Sequence, residues 1–183
     1  MRKVLFILMS LVLVMLPGVA LSVDLVTNGG FENGNFSGWT QSGNMGATGV
    51  STATVHSGIY SAYLGPVGSL GYLSQMLPTV IGGTYNLNFW LQHDGGTPSE
   101  FLVVWGGNNI FDTTNPPSFI YTLESFSLTA ASSSTELKFG FREDPSFFHL
   151  DDVSVIGAPE PTTIILLGFG LLGLWGFRKK FRK

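Results

Sequence analysis

The chain has 183 residues, no cysteine, 24 glycines and a formal net charge of −3. Without cysteine, an exported protein is held together by packing or by a metal rather than by disulfides. The charge is unevenly placed: residues 23–158 hold two of the nine Lys and Arg, Lys138 and Arg142, but eleven of the twelve Asp and Glu. The resulting net charge of −9 for this body excludes a phosphate-binding face, and with it nucleic acid as a partner.

The chain opens on Arg2-Lys3, then a 13-residue apolar stretch from Val4 to Leu16, the helix-breaking Pro17-Gly18, and small residues at Ala20 and Ser22. This is the layout of a secretory signal peptide over residues 1–22, with cleavage fitting after Ala20 or after Ser22. The apolar stretch is short for a membrane span, which takes about 20 residues.

The body, residues 23–157, reads as β structure. Tyr85, Leu87, Phe89 and Leu91 alternate with Asn86, Asn88, Trp90 and Gln92. Phe126 and Leu128 alternate with Ser125, Ser127 and Thr129, and Leu137, Phe139 and Phe141 with Glu136, Lys138 and Arg142. Asn33-Gly34, Gly82-Gly83, Asp94-Gly95-Gly96 and Gly106-Gly107-Asn108 supply turns, and Pro116-Pro117 and Pro145 interrupt strands. No body segment keeps a helical period. The expected fold is all-β, an antiparallel β-sandwich of the jelly-roll kind, flanked by an N-terminal signal helix and a C-terminal transmembrane helix.

Beyond the body, residues 158–183 carry Pro159-Glu160-Pro161, an apolar segment over 162–177, and five positive charges in the last six residues. As a helix this 16-residue segment reaches about 24 Å against a hydrocarbon core of roughly 30 Å, a span that needs local thinning or snorkelling basic side chains. The basic cluster places its end on the cytoplasmic side and the body outside.

This three-part ending resembles the PEP-CTERM sorting signal of Gram-negative bacteria. The resemblance implies an exosortase-type processing enzyme as a partner, anchoring by the C-terminal helix before processing, and an outer-surface or extracellular destination afterwards. A second resemblance rests on Leu25-Val26-Thr27-Asn28-Gly29-Gly30-Phe31-Glu32 with Gly38-Trp39, on His56-Ser57-Gly58-Ile59-Tyr60-Ser61-Ala62, and on Leu150-Asp151-Asp152-Val153-Ser154-Val155. In this order the segments resemble jelly-roll carbohydrate-binding modules and related galactose-binding-like domains.

The modules that this body resembles often hold a structural calcium where the first loop meets the last strand. That resemblance implies Glu32, Asp151 and the adjacent Asp152 as metal ligands, with Ser57 in the facing turn. Calcium takes six to eight oxygens, which the glycine turns supplement with carbonyls. Asp151 shares strand parity with Val153 and Val155 and is expected to aim inward. The alternative is that Glu32 caps a turn and Asp151-Asp152 is a solvated strand edge.

The candidate sugar-binding residues are Trp90, Asn88, Gln92 and Arg142: a flat aromatic for stacking, with amides and a charged group for the ring's edge. The alternative packs Trp90 under a loop. Trp39 and Trp105 are expected in the core. His56, His93 and His149 are far apart and belong to no metal or triad motif, and no nucleophile or phosphate-loop motif occurs, so the chain is read as a non-enzyme. The expected function is an exported, surface- or matrix-associated protein whose sandwich binds glycan or exopolysaccharide. The alternative is a structural or adhesive matrix protein without a small-molecule site.

Overall fold

The computed structural model describes residues 23–158; the signal peptide, the Pro159-Glu160-Pro161 motif and the C-terminal apolar segment lie outside the described residues. Ten strands follow in order: β1 Thr40–Gly43, β2 Thr48–Ser51, β3 Ser61–Leu64, β4 Gly71–Pro78, β5 Thr84–His93, β6 Ser99–Trp105, β7 Asn108–Thr114, β8 Phe119–Thr129, β9 Ser134–Glu143 and β10 Phe148–Gly157. They form two five-stranded sheets, here the front sheet in order β1-β4-β9-β6-β7 and the back sheet in order β2-β3-β10-β5-β8. Every pairing is antiparallel, and no helix occurs among the described residues.

The core lies between the sheets because period-two alternation buries one face of each strand. From β5 come Tyr85, Leu87, Phe89 and Leu91, and from β9 Leu137, Phe139 and Phe141, all buried. Phe89 meets Phe139 edge to face at 5.2 Å and Phe101 of β6 at 6.2 Å, so aromatic contacts tie the two sheets together. Trp39 and Trp105 are also buried, and each indole N–H is satisfied at 3.1 Å, on Asn28 O and Thr129 O respectively. On the front sheet, inward-facing Gln75 holds the N-terminal segment by both backbone groups of Thr27, accepting from its N–H at 3.0 Å and donating to its O at 2.7 Å.

The turns follow from glycine. The β6–β7 hairpin has two central residues, Gly106 and Gly107, both at positive φ (55° and 86°), which suits the twist of a tight hairpin. One irregularity matters for the site. Between β10 and β5 the register shifts after the Asp151↔Trp90 pair and resumes at Ser154↔Asn88, with Asp152 at φ +48°. This is a β-bulge, and it resets which side chains face inward.

Candidate ligand-binding faces

The bulge decides the direction of Asp151. Leu150, Val153 and Val155 are core residues, while Asp151 is paired with Trp90 and shares its outward face. The expected inward aim is therefore corrected. Parity counted back from Val153 fails because one extra residue, Asp152, lies between them. Asp151 is nonetheless fully buried, because the loop from Thr52 to Tyr60 folds over it.

That loop is clasped by carboxylates. Asp151 Oδ2 accepts the N–H groups of His56 at 3.0 Å and Ser57 at 3.2 Å, and Oδ1 accepts the N–H of Asp152 at 2.8 Å. Asp152 contacts His56 Nδ1 at 2.7 Å and accepts from Ser57 Oγ at 2.8 Å. Glu32 accepts the N–H groups of Ile59 and Tyr60 at 3.0–3.1 Å. Gly58 is required here: at φ +68°, a Cβ would stand 2.2 Å from Glu32 Oε1. Burial pushes the Asp151 carboxyl up to about 6, against the opposing pull of its N–H donors.

The structure thus brings Glu32, Asp151, Asp152 and Ser57 to one corner, and a Cβ on Gly30 would lie 3.5–3.8 Å from atoms of all three acids. The residue types suit calcium, but the acids face donors. As placed, their oxygens fasten loop N–H groups, and a cation needs the loop to turn carbonyls toward it instead. Among the described residues no three His, Asp or Glu side chains are grouped to hold a metal ion.

The clasp also determines what happens to Trp90. Its outward register holds, but the His56 ring stacks on it with centroids 3.8 Å apart and planes 17° apart. Tyr121 of β8 packs its edge on His56 at 5.4 Å and donates to Thr54 O at 3.2 Å; burial first, then nearby acids, push its hydroxyl up to about 12. Gln92 donates to Asp94, whose other oxygen meets His149 Nε2 at 2.9 Å. Asn88 accepts from Ser125 Oγ at 2.7 Å. Asn86, Asn88, Ser125, Phe126 and Ser127 line an open groove of about 360 Å³ beside this cluster.

Arg142 does not join them. It lies on β9 of the front sheet, directed away from the core and paired across to Glu100, so the whole sandwich separates it from Trp90. Alternation in β5 and β9 shows that each has a polar side; it does not show that those sides point in opposite directions.

The front sheet's outer face carries an aromatic that alternation had not singled out. Tyr72 of β4 is paired with Ser42 on one side and Gly140 on the other, and Gly140 with Leu102. A Cβ on Gly140 would lie 2.9 Å from Tyr72 Cε1 and from Leu102 Cδ1, and one on Gly43 would lie 2.9 Å from Tyr72 Cδ2. The ring is therefore lodged low on the sheet between two positions cleared of side chains. Arg142 stands beside it, bonded to Asp144 at 2.7 and 3.2 Å, with Lys138, Ser74, Glu100 and Asp112 on the neighbouring register positions. The signal that was there to find is Tyr72, Ser74 and Met76 alternating with buried Leu73, Gln75 and Leu77.

The two-sheet sandwich sets the fold, and the family match sets the class. Residues 23–143 match the carbohydrate binding domain model, and the chain belongs to that family of non-catalytic binding domains. Residues 158–183 match the PEP-CTERM protein-sorting motif, which marks an exported, sorted protein. No curated protein sequence matches the chain. Among solved structures, TmCBM61, solved with β-1,4-galactotriose, is 20% identical with a TM-score of 0.61, over 75% of this chain and 100% of that one. The CBM22-1 xylan-binding domain of Paenibacillus barcinonensis Xyn10C is 16% identical with a TM-score of 0.54, over 76% and 97%. A cleaved adhesin domain of Lys-gingipain from Porphyromonas gingivalis is 17% identical with a TM-score of 0.57, over 74% and 98%. At these identities the likeness is one of fold.

Proposed function

We propose that this exported protein binds an extracellular polysaccharide on the outer face of its front sheet, with Tyr72 as the stacking platform. The observation that carries this reading is the Tyr72 ring lodged between Gly43 and Gly140, with Arg142, Lys138 and Glu100 around it. A sugar ring needs an apolar face to stack on and hydrogen-bonding groups at its edge. The face supplies both, and its acids, Glu100, Asp112, Glu136 and Asp144, outnumber Lys138 and Arg142, which suits a neutral rather than an acidic glycan. Binding of recombinant 23–158 to bacterial exopolysaccharides, galactans and xylans, compared with Tyr72→Ala, tests it. Retained binding in Tyr72→Ala moves the site elsewhere. No binding to any glycan leaves the structural or adhesive matrix protein.

A second reading places the glycan on the back sheet, in the groove of Asn86, Asn88, Ser125 and Ser127 next to Trp90 and Gln92. The groove's volume favours it. The stack of His56 on Trp90 counts against it, since one face of the indole is already used. Loss of binding in Asn88→Ala, with Tyr72→Ala unaffected, selects this reading.

Two further proposals complete the picture. The apolar segment 162–177 anchors the chain in the inner membrane until an exosortase-type enzyme processes it near Pro159-Glu160-Pro161, after which the body reaches the surface or matrix. A calcium ion at Glu32, Asp151, Asp152 and Ser57 stabilises the loop corner. The convergence of the three acids near Gly30 supports that ion.

A further inference from the structure

Both ends of the described chain emerge at the same end of the sandwich. Asp24 bridges to Ile156, and the Ala158 N–H donates to Thr84 O at 2.8 Å, which fixes the exit beside the β4–β5 turn. The segments at this end are Thr79–Gly83, Gly106-Gly107, Ala130–Ser133 and Gly157-Ala158. None contains a charged residue, in a body of net charge −9. The nearest acid to the termini, Asp24, turns its Oδ1 to the N–H groups of Val26 and Val155. At the opposite end the loops hold Asp94 and Asp144.

At this end, where Asp24 is the acid beside turns that carry no charge, Val80 and Ile81 stand 68% and 70% exposed, with Val23 nearby at 71%. The other large exposed apolar residues, such as Ile59, Val67 and Ile120, are spread over other parts of the surface. The turn itself is firmly braced. Val80 N–H donates to Tyr85 Oη at 2.7 Å, Gly82 N–H to Ala130 O at 2.8 Å, and Gly83 N–H to Val80 O at 2.9 Å. Thr79 Oγ1 donates to Ser132 O at 2.8 Å. Four of the turn's five N–H groups, those of Thr79, Val80, Gly82 and Gly83, are thus satisfied inside the protein while two aliphatic side chains stand exposed, which lowers the cost of placing the turn in a less polar medium.

The chain's own continuation names the partner. Only Pro159, Glu160 and Pro161 separate Ala158 from the apolar segment that begins at Thr162. The four residue steps from Ala158 to Thr162 span no more than about 14 Å. Resting on the reading of 162–177 as a membrane anchor, we infer that the Val80–Ile81 turn is a lipid-contacting tip. It sits in the headgroup–acyl boundary of the bilayer that holds the C-terminal segment. An uncharged tip lets an acidic body approach an anionic bilayer without repulsion at the point of contact. The tip also sets the body's orientation on that surface.

The test uses the full chain, which has no cysteine of its own. Ile81→Cys and, at the opposite end, Val67→Cys are each labelled with an environment-sensitive fluorophore. The labelled chains are reconstituted into phosphatidylethanolamine/phosphatidylglycerol vesicles with and without a doxyl-lipid quencher. The expected result is blue-shifted, quenched emission at position 81 and water-like, unquenched emission at 67, with the signal at 81 lost on adding Val80→Asp. A chain that floats with the vesicles while position 81 stays in water overturns the tip alone and leaves that end for the processing enzyme. A chain that fails to float overturns the anchor, and the tip with it.

Discussion

The two outer faces of the sandwich use similar residues to opposite ends. The back sheet has Trp90, amides and acids, yet its acids fasten a loop whose His56 covers the indole at 3.8 Å. The front sheet has one tyrosine lodged beside glycines, and its charged side chains pair with one another within or next to the face. The comparison teaches that an outward aromatic is a platform only where nothing in the chain has been placed on it. On the back face the carboxylates hold a loop in place, and on the front face charged side chains stand around a half-buried tyrosine that lies beside two glycines.

The strongest break of this contrast is at the clasp. Asp151→Ala leaves the His56 and Ser57 N–H groups without their acceptor. An orphaned donor costs roughly 1–3 kcal/mol when buried; both bonds are only part-buried, so a loss of about 1–3 kcal/mol in all is expected in urea unfolding. Asp151→Asn should lose less, since its carbonyl oxygen still accepts one or both of these groups. A fully stable Asp151→Ala protein would mean that the loop is held by something else.

The faces separate next by binding and melting measured together. Tyr72→Ala is expected to weaken glycan binding at least about tenfold, roughly 1.4 kcal/mol, with little change in melting temperature. Trp90→Ala is expected to lower the melting temperature, through loss of the His56 stack, while binding persists. Exchange of the two outcomes would exchange the roles of the faces. Gly140→Ala sharpens the point, because its methyl meets the Tyr72 ring at 2.9 Å and must lift it, weakening binding without touching a polar group.

Tyr121 reports on the clasped face through pH. Its folded-state value, about 12, lies above the ordinary 10.0, so its contribution to stability is complete below pH 10 and is lost as pH rises toward 12. Ultraviolet titration should find one tyrosine ionising about two pH units late. Tyr121→Phe should remove that late step and flatten stability across pH 10–12. A titration in which all tyrosines ionise together at the ordinary value would show that the loop leaves Tyr121 open to water. The smallest expected effect is a rise in melting temperature in calcium chloride over a chelator. An unchanged melt assigns the corner to the loop N–H groups alone.

Much of the fold was legible because burial on one side of a strand writes itself as alternation. β5, β8 and β9 could be read directly, and Trp39 and Trp105 fell in the core as expected. β4 was missed as a strand because Gln75 interrupts its apolar side, and that polar group is buried only because Thr27 satisfies both of its ends. The site is less legible. The direction of Asp151 depends on a bulge, a one-residue event that alternation does not register, and the face that Arg142 joins depends on which sheet its strand enters, about which period two says nothing.

The sequence by itself determined the strand periodicity, the acidic body, the sorting motif and membership of a carbohydrate-binding domain family. These are local or compositional properties, carried by neighbouring residues. Only the tertiary structure decided that His56 stacks on Trp90, that Tyr72 lies against Gly43 and Gly140, and that Asp151 clasps the Thr52–Tyr60 loop. Each depends on residues tens of positions apart meeting across a sheet, and the contacts that create or close a binding face are made by folding and appear in no local pattern.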